Sequence, residues 1–299
     1  MSAIAVLGPG GVGGFVAAAL ARAGEEVTVI AREPTAEVIV ARGIAVQSVR
    51  LGEFVARPSA VSELAEPVDV LVVATKATGL RQALGRVVAT AQLVVPLLNG
   101  LEHMAVLRDR FGAGRVAAGV IRVESDRPAP GRIVQTSPSV RVDLAADHAD
   151  LRPALEAFGA RLGGAGIPVQ FGPNEAQILW SKLVRLCALA CTTSASDRPI
   201  GFIRSDPEWR AALIGCISEA AAVANADGAR IDPAATLVEL EEAHASLSSS
   251  MARDIASGRE PELDAIAGAV MRAGRRHGIE CPTIARLSAA IAARAGHDR

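Results

Sequence analysis

Lys182 and the glycines Gly8, Gly10 and Gly13 are the residues whose type and placement speak most directly of chemistry. The glycines fall in AIAVLGPGGVGG, residues 3–14, where an apolar run breaks into a turn and then into an alanine-rich helical pattern. In a strand, turn and helix of this kind the first glycine permits a sharp turn. The second removes a side chain where a pyrophosphate approaches, and the third lets helix and strand pack closely. A helix opening near Gly11 aims unpaired N–H groups and its positive dipole end at phosphate. The expectation is a dinucleotide site on Gly8, Gly10, Gly11 and Gly13. A glycine-rich turn that binds nothing would show the same letters, and the flanking strand and helix patterns argue against it.

The second signal is compositional. Of 31 lysines and arginines, only Lys76 and Lys182 are lysine. Where arginine replaces lysine so consistently, a surviving lysine is expected where a compact, titratable ammonium matters. Lys182 lies among Ile178, Leu179, Leu183, Leu186 and Leu189, either snorkelling to solvent or held at a cleft. An ammonium suits ketone reduction, because hydride reaching the carbonyl carbon leaves negative charge on oxygen. The ammonium stabilises that charge and donates the proton, help typically worth about 10² to 10⁴ in rate. The chain has no tyrosine, which removes the Tyr and Lys pair of short-chain dehydrogenases.

Four further residues stand at chemically useful places. Arg32 lies roughly twenty residues beyond the glycines, where an NAD enzyme carries Asp or Glu against the ribose. A guanidinium there suits the 2′-phosphate of NADP, although Glu33 is next to it. Asn99 follows an apolar run and is part of an Asn-Gly turn. Ser250 and Glu262 lie in SSSMARDIASGREPELDAI; a helix cap and a first-turn carboxylate are their plain readings, and binding of a polar substrate beside Lys182 is the alternative.

The elements that must position these residues follow from periodicity. Strands are expected at 26–31, 44–49, 52–57, 69–74, 93–98, 116–123, 131–135, 140–144 and 168–171. Helices are expected to about Ala23, and at 80–90 and 151–162, with Pro128 and Pro130 in a turn. Gly8, Arg32, Lys76 and Asn99 all come just past strands, where an open parallel sheet has its ligand crevice. From Gly172-Pro173 onward only helical patterns occur, several opening on proline, so the expected fold is α/β. An N-terminal Rossmann-type dinucleotide-binding domain, residues 1–172, precedes an all-α domain, residues 173–299.

Half the residues are apolar and the net charge is −1, so a large core and no electrostatic footprint for nucleic acid are expected. The uncharged stretch before Arg22 contains Pro9 and glycines, which argue against a signal or membrane segment. Cys187, Cys191, Cys216 and Cys281 have neither disulfide nor metal-ligand spacing, so no metal is expected and a reducing cytoplasm suits the chain. Cys187 and Cys191 read as core.

Taken together, these motifs resemble the ketopantoate reductases (2-dehydropantoate 2-reductases) over nearly the whole chain. They comprise Gly8 to Gly13, Arg32, Lys76 after DVLVV, Asn99-Gly100, Trp180 to Lys182, and Ser249 to Gly268. The last two, in this order and at this separation, are far more specific than the glycines. The resemblance implies NADPH and a 2-keto acid in a cleft between the two domains. It implies Lys182 as general acid, with Glu262 close to it and to the nicotinamide. Asn99 would touch cofactor and substrate, Ser250 the substrate carboxylate, and Arg32 and Lys76 the NADPH. The implied reaction takes 2-dehydropantoate to (R)-pantoate, toward pantothenate. A homodimer through the helical half is a further expectation of the family.

The sequence departs from the family where asparagines usually lie four and eight residues after the lysine and three before the serine. Leu186, Ala190 and Leu247 occupy those positions. Leu186 shares a helix face with Lys182. The losses favour a reductase of a more apolar 2-keto acid as the alternative substrate reading. A non-catalytic NADP(H) sensor is the alternative of a different class, and the retained Lys182 and Glu262 speak against it.

Overall fold

The computed structural model describes residues 3–296. In its first part the chain runs β1 (Ile4–Leu7), α1 (Gly11–Arg22), β2 (Val27–Ile30), α2 (Glu33–Arg42), β3 (Ile44–Ser48), β4 (Gly52–Ala56), β5 (Ser59–Val61), β6 (Val68–Val73), α3 (Leu80–Leu84), β7 (Ala91–Pro96), α4 (His103–Phe111), β8 (Ala118–Arg122), β9 (Ser125–Ala129), β10 (Arg132–Gln135), β11 (Arg141–Ala145), α5 (Arg152–Gly164) and β12 (Val169–Phe171). Then follow α6 (Glu175–Ser196), α7 (Ile200–Ser205), α8 (Pro207–Ala226), α9 (Pro233–Glu242), α10 (Ser250–Ala256), a π-helical turn (Asp264–Gly268), α11 (Ala269–Arg276) and α12 (Pro282–Arg294). Beyond Phe171 no strand occurs among the described residues.

Two compact units result. One takes the chain to Leu98 and again His103–Ile178; the other takes Asn99–Glu102 and the chain from Leu179. The division therefore falls inside α6, and the short Asn99–Glu102 loop packs with the helices although the sequence around it is that of the sheet.

In the first unit β1 is central. All four of its residues are buried, and it pairs in parallel with β2 and β6. The sheet order is β5-β2-β1-β6-β7, so the direction of winding reverses at β1. Strands flanked on both sides in this way read as continuous apolar runs, as IAVL and, after Asp69, VLVV do. Ala17, Ala18 and Ala19 let α1 approach the sheet closely, while Phe15 and Leu20 are fully buried in its core. Removing a side chain such as Phe15 to alanine typically costs about 3–5 kcal/mol.

Two smaller sheets complete this unit, ordered β4-β3-β10-β9 and β12-β11-β8. Two local expectations are corrected here. Pro128 lies not in a turn but in β9, an edge strand of its sheet, where a missing N–H costs no ladder bond. The helix expected over 80–90 stops at Leu84; beyond Gly85 the Val88 and Ala89 N–H groups donate to the Leu64 carbonyl instead.

The second unit, in which α8 packs against α7, α9, α11 and α12, resumes inside α6 at Leu179. This helix is long and apolar enough by composition to cross a membrane, but 72% of that stretch is buried inside the fold, as suits a core helix. Neighbouring helices start on signals the sequence carries. Asp206 accepts from the Glu208 and Trp209 N–H groups ahead of Pro207, and Asp232 accepts from Ala234 N–H ahead of Pro233. Caps of this kind each stabilise by about 1 kcal/mol.

Candidate functional site

The three fingerprint glycines do three different things. Gly8 follows β1 with φ +90°, and a Cβ there would lie 2.8 Å from the Thr75 methyl and 3.1 Å from the Ala74 carbonyl oxygen. At Gly13 a Cβ would come within 2.2 Å of the Gly8 carbonyl oxygen, so this glycine is what lets α1 close on the turn. At Gly10 a Cβ would meet nothing within 4 Å; the space it leaves is open. Gly11 has a packing role as well, because Ser125 of β9 presses on it: a Cβ would lie 2.0 Å from the Ser125 carbonyl oxygen, and Ser125 Oγ donates to the Gly11 carbonyl at 2.8 Å.

This cradle fits a dinucleotide. Helix α1 has neither a side-chain cap nor an acidic residue in its first turn, so its leading N–H groups are available to an anion. The buried Thr75 hydroxyl beside Gly8 has no hydrogen-bond partner. The sheet register sets the neighbouring loops in a row, since Leu7 pairs with both Ile30 and Val73. Arg32 is exposed and extended at the start of α2, just past β2; Lys76 is exposed and extended, just past β6. Both long side chains are thus on loops next to the one that carries Gly8.

In the helical unit, Asn99 and Glu262 meet. Asn99 Nδ2 donates to Glu262 Oε2 at 2.9 Å across 163 positions of sequence. Glu262 is half-buried and precedes the π-helical turn, where the first-turn carboxylate is Asp264. The plain reading of Glu262 as that carboxylate is therefore corrected. The loop is seated by Gly100, which has φ +87° and would place a Cβ 2.3 Å from the Ala265 carbonyl oxygen.

Lys182 is half-buried on α6, between Ile178 (5% exposed) and Leu183 (1%). Two residues earlier, the fully buried Trp180 donates from Nε1 to Asp227 Oδ2 at 2.9 Å, and Asp227 Oδ1 meets His277 Nε2 at 2.8 Å. That network fixes the turn of helix carrying the lysine. Leu186 is half-buried one turn on, and Ala190 is fully buried.

The serines divide their work differently from the sequence expectation. Ser249, not Ser250, caps α10, accepting from Ala252 N–H at 3.1 Å and from Thr193 Oγ1 at 2.9 Å. Ser250 is exposed as the first helical residue, so its hydroxyl is not consumed by the cap. Thr193 lies on α6 and Ser249 beside Ser250, so the serine and Lys182 are linked through one helix. Thr193 carries no signal in the sequence, and the run of three serines hides which one turns inward.

The four cysteines are buried. Hydrogen bonds from neighbouring thiols and burial push Cys191 and Cys216 far up, and burial raises Cys281 to about 11. Cys191, Cys216 and Cys281 therefore stay protonated at neutral pH, and all four cysteines are buried core residues, as expected of Cys187 and Cys191.

The sequence model described as ketopantoate reductase PanE/ApbA matches residues 4–146, and its C-terminal counterpart matches residues 174–295. A 2-dehydropantoate 2-reductase of Caulobacter vibrioides is 31% identical over 305 residues, covering 99% of this chain and 100% of that one. One from Mycobacterium tuberculosis is 32% identical over 288 residues, covering 93% of each. Among solved structures, a 2-dehydropantoate 2-reductase from Geobacter metallireducens superposes with a TM-score of 0.89 at 26% identity, covering 97% of this chain and 98% of that one.

Proposed function

Because this chain belongs to the ketopantoate reductase family of NADP-dependent oxidoreductases, we propose that it reduces 2-dehydropantoate to (R)-pantoate with NADPH. The observation that carries this reading is the Asn99 to Glu262 hydrogen bond, which joins two distant residues of the family pattern in one site.

Bound NADPH supplies the hydride. The loop Gly8 to Gly13 and the first turn of α1 hold its pyrophosphate, the Arg32 guanidinium takes the 2′-phosphate, and Lys76 adds a second cation. Asn99 and Glu262 hold the nicotinamide end, Asn99 also reaching the substrate. The Ser250 hydroxyl binds the carboxylate of the keto acid. The Lys182 ammonium would stabilise the negative charge that hydride delivery leaves on the carbonyl oxygen and would pass it a proton, giving the 2-hydroxy acid. In this reading residues 1–172 form the cofactor domain and 173–299 the substrate domain, also the face of a homodimer, and the enzyme works in the cytoplasm toward pantothenate.

A second substrate reading has its own observation. Leu186, one turn from Lys182 and half-buried, presents an apolar group where the family pattern has an amide, which favours a more apolar 2-keto acid. Steady-state NADPH consumption with a panel of 2-keto acids separates the two. The highest kcat/KM with 2-dehydropantoate supports the first; a higher value with a branched aliphatic or aromatic keto acid supports the second. Tight NADPH binding with no turnover of any keto acid would overturn both and leave a sensor.

A further inference from the structure

Taking Asn99 and Glu262 as site residues in the sense just given, we propose that Arg272 is a positioning residue: it locks the Asn99–Glu102 loop onto the turn that follows Glu262. Arg272 donates from Nε and Nη2 to the two carboxylate oxygens of Glu102, at 2.6 and 2.7 Å. Its Nη1 donates to Asp264 Oδ1 at 2.6 Å, and Nη2 also reaches the Asp264 carbonyl at 3.0 Å. One planar fork therefore ties the far end of the loop to the first residue of the π-helical turn. A lysine, a point charge on a flexible stem, cannot hold both carboxylates in fixed geometry.

The local sequence is built around this clamp. Asp264, Gly268 and Arg272 follow one another at intervals of one helical turn. A Cβ at Gly268 would lie 2.6 Å from Asp264 Oδ1 and 3.0 Å from Arg272 Nη1, so the glycine keeps clear the lane in which the two side chains meet. The π-helical widening covers the same five residues, Asp264–Gly268, and such insertions recur at functional sites. The loop is thus attached at three successive points: Asn99 to Glu262, Gly100 against Ala265, and Glu102 to Arg272. With its fork engaged by Glu102 and Asp264, Arg272 acts on the reaction through the loop, by fixing where the Asn99 amide points.

The test uses the full-length protein and reads the loop before it reads activity. In Arg272→Gln, amide hydrogen exchange across residues 99–104 accelerates by about tenfold while exchange in the core of α6 is unchanged. Gly268→Ala, which keeps all three charged groups but crowds their lane, accelerates the same amides, and Glu102→Gln does so from the loop end of the clamp. Unchanged loop exchange in these variants, with the fold intact, overturns the proposal. For turnover, kcat falls by about tenfold in Arg272→Gln, Arg272→Lys does not restore it, and the loss vanishes in an Asn99→Ala background. Losses that multiply with Asn99→Ala contradict action through Asn99. If the wild-type protein reduces no 2-keto acid while the loop amides respond as stated, it is the proposed function that fails and the clamp that stands.

Discussion

The Asn99 side-chain amide lies 2.9 Å from the Glu262 carboxylate, although Asn99 leaves the end of a sheet and Glu262 opens a helical turn much later in the chain. The contact exists because the Asn99–Glu102 loop packs with the helices rather than with the strand that precedes it. A residue delivered by the dinucleotide-binding half of the sequence is in this way built into the helical unit. The division of labour between the halves is therefore not a division of the sequence at one point.

Lys182→Ala should lower kcat by at least about a hundredfold with the fold intact, the loss expected of a general acid. Lys182→Arg should not recover the activity, since a guanidinium does not give up its proton at neutral pH. Steady-state kinetics with a thermal melt as the folding check decides this; near-normal turnover in Lys182→Ala would remove the lysine from the chemistry.

Arg32→Ala should weaken NADPH by about tenfold to a hundredfold, the value of one or two charge-assisted hydrogen bonds, and leave NADH nearly unaffected. Titration of cofactor fluorescence against both nucleotides measures the difference. An equal loss for the two would show that Arg32 does not contact the 2′-phosphate.

Leu186→Asn should raise the ratio of kcat/KM for 2-dehydropantoate over an apolar 2-keto acid, by about tenfold where the new amide pairs with the substrate hydroxyl. Competition between the two keto acids in one reaction reads the ratio directly. A ratio that stays put or moves the other way would mean that this turn of α6 does not face the substrate.

Glu175 gives a prediction about stability. It opens α6, is 3% exposed, accepts from Arg108, and exchanges backbone-to-carboxylate hydrogen bonds with Asp147. Burial raises its carboxyl above the ordinary 4.5, with the Arg108 charge opposing the rise. An acid whose folded value lies above its unfolded one binds its proton more tightly when folded. Its contribution is therefore complete below the unfolded value and is lost as pH climbs through the folded one. Relative to Glu175→Gln, the wild-type protein should lose unfolding free energy as pH rises above the ordinary carboxylate value of 4.5. Urea denaturation at a series of pH values tests this. A gap that stays constant, or that grows in favour of the wild type, would show that the Arg108 pair outweighs burial.

What could be read from the sequence follows from how local each signal is. The glycine turn, the buried strands and the proline-started helices depend on neighbours a few residues away, and they lie where the pattern puts them. β9 escaped because Pro128 and Pro130 signal a turn equally well; only its place at a sheet edge makes the proline harmless. Ser249 and Ser250 are chemically identical, and Thr193 decides which of them turns inward. The Arg272 clamp leaves no mark in the sequence because Glu102 lies 170 positions away from Arg272, on a loop that only folding brings to the helices. Long-range hydrogen bonds leave no periodicity, so the residues that hold a site are harder to find than those that furnish it.

The central claim is direct hydride transfer from NADPH to the keto carbon, and isotope tracing tests it most directly. With NADPH deuterated at the transferring position of the nicotinamide, the 2-hydroxy acid formed from 2-dehydropantoate should carry one deuterium on the carbon that bears the new hydroxyl, as read by mass spectrometry. Product without deuterium at that carbon, or no product from any 2-keto acid despite tight NADPH binding, would contradict it.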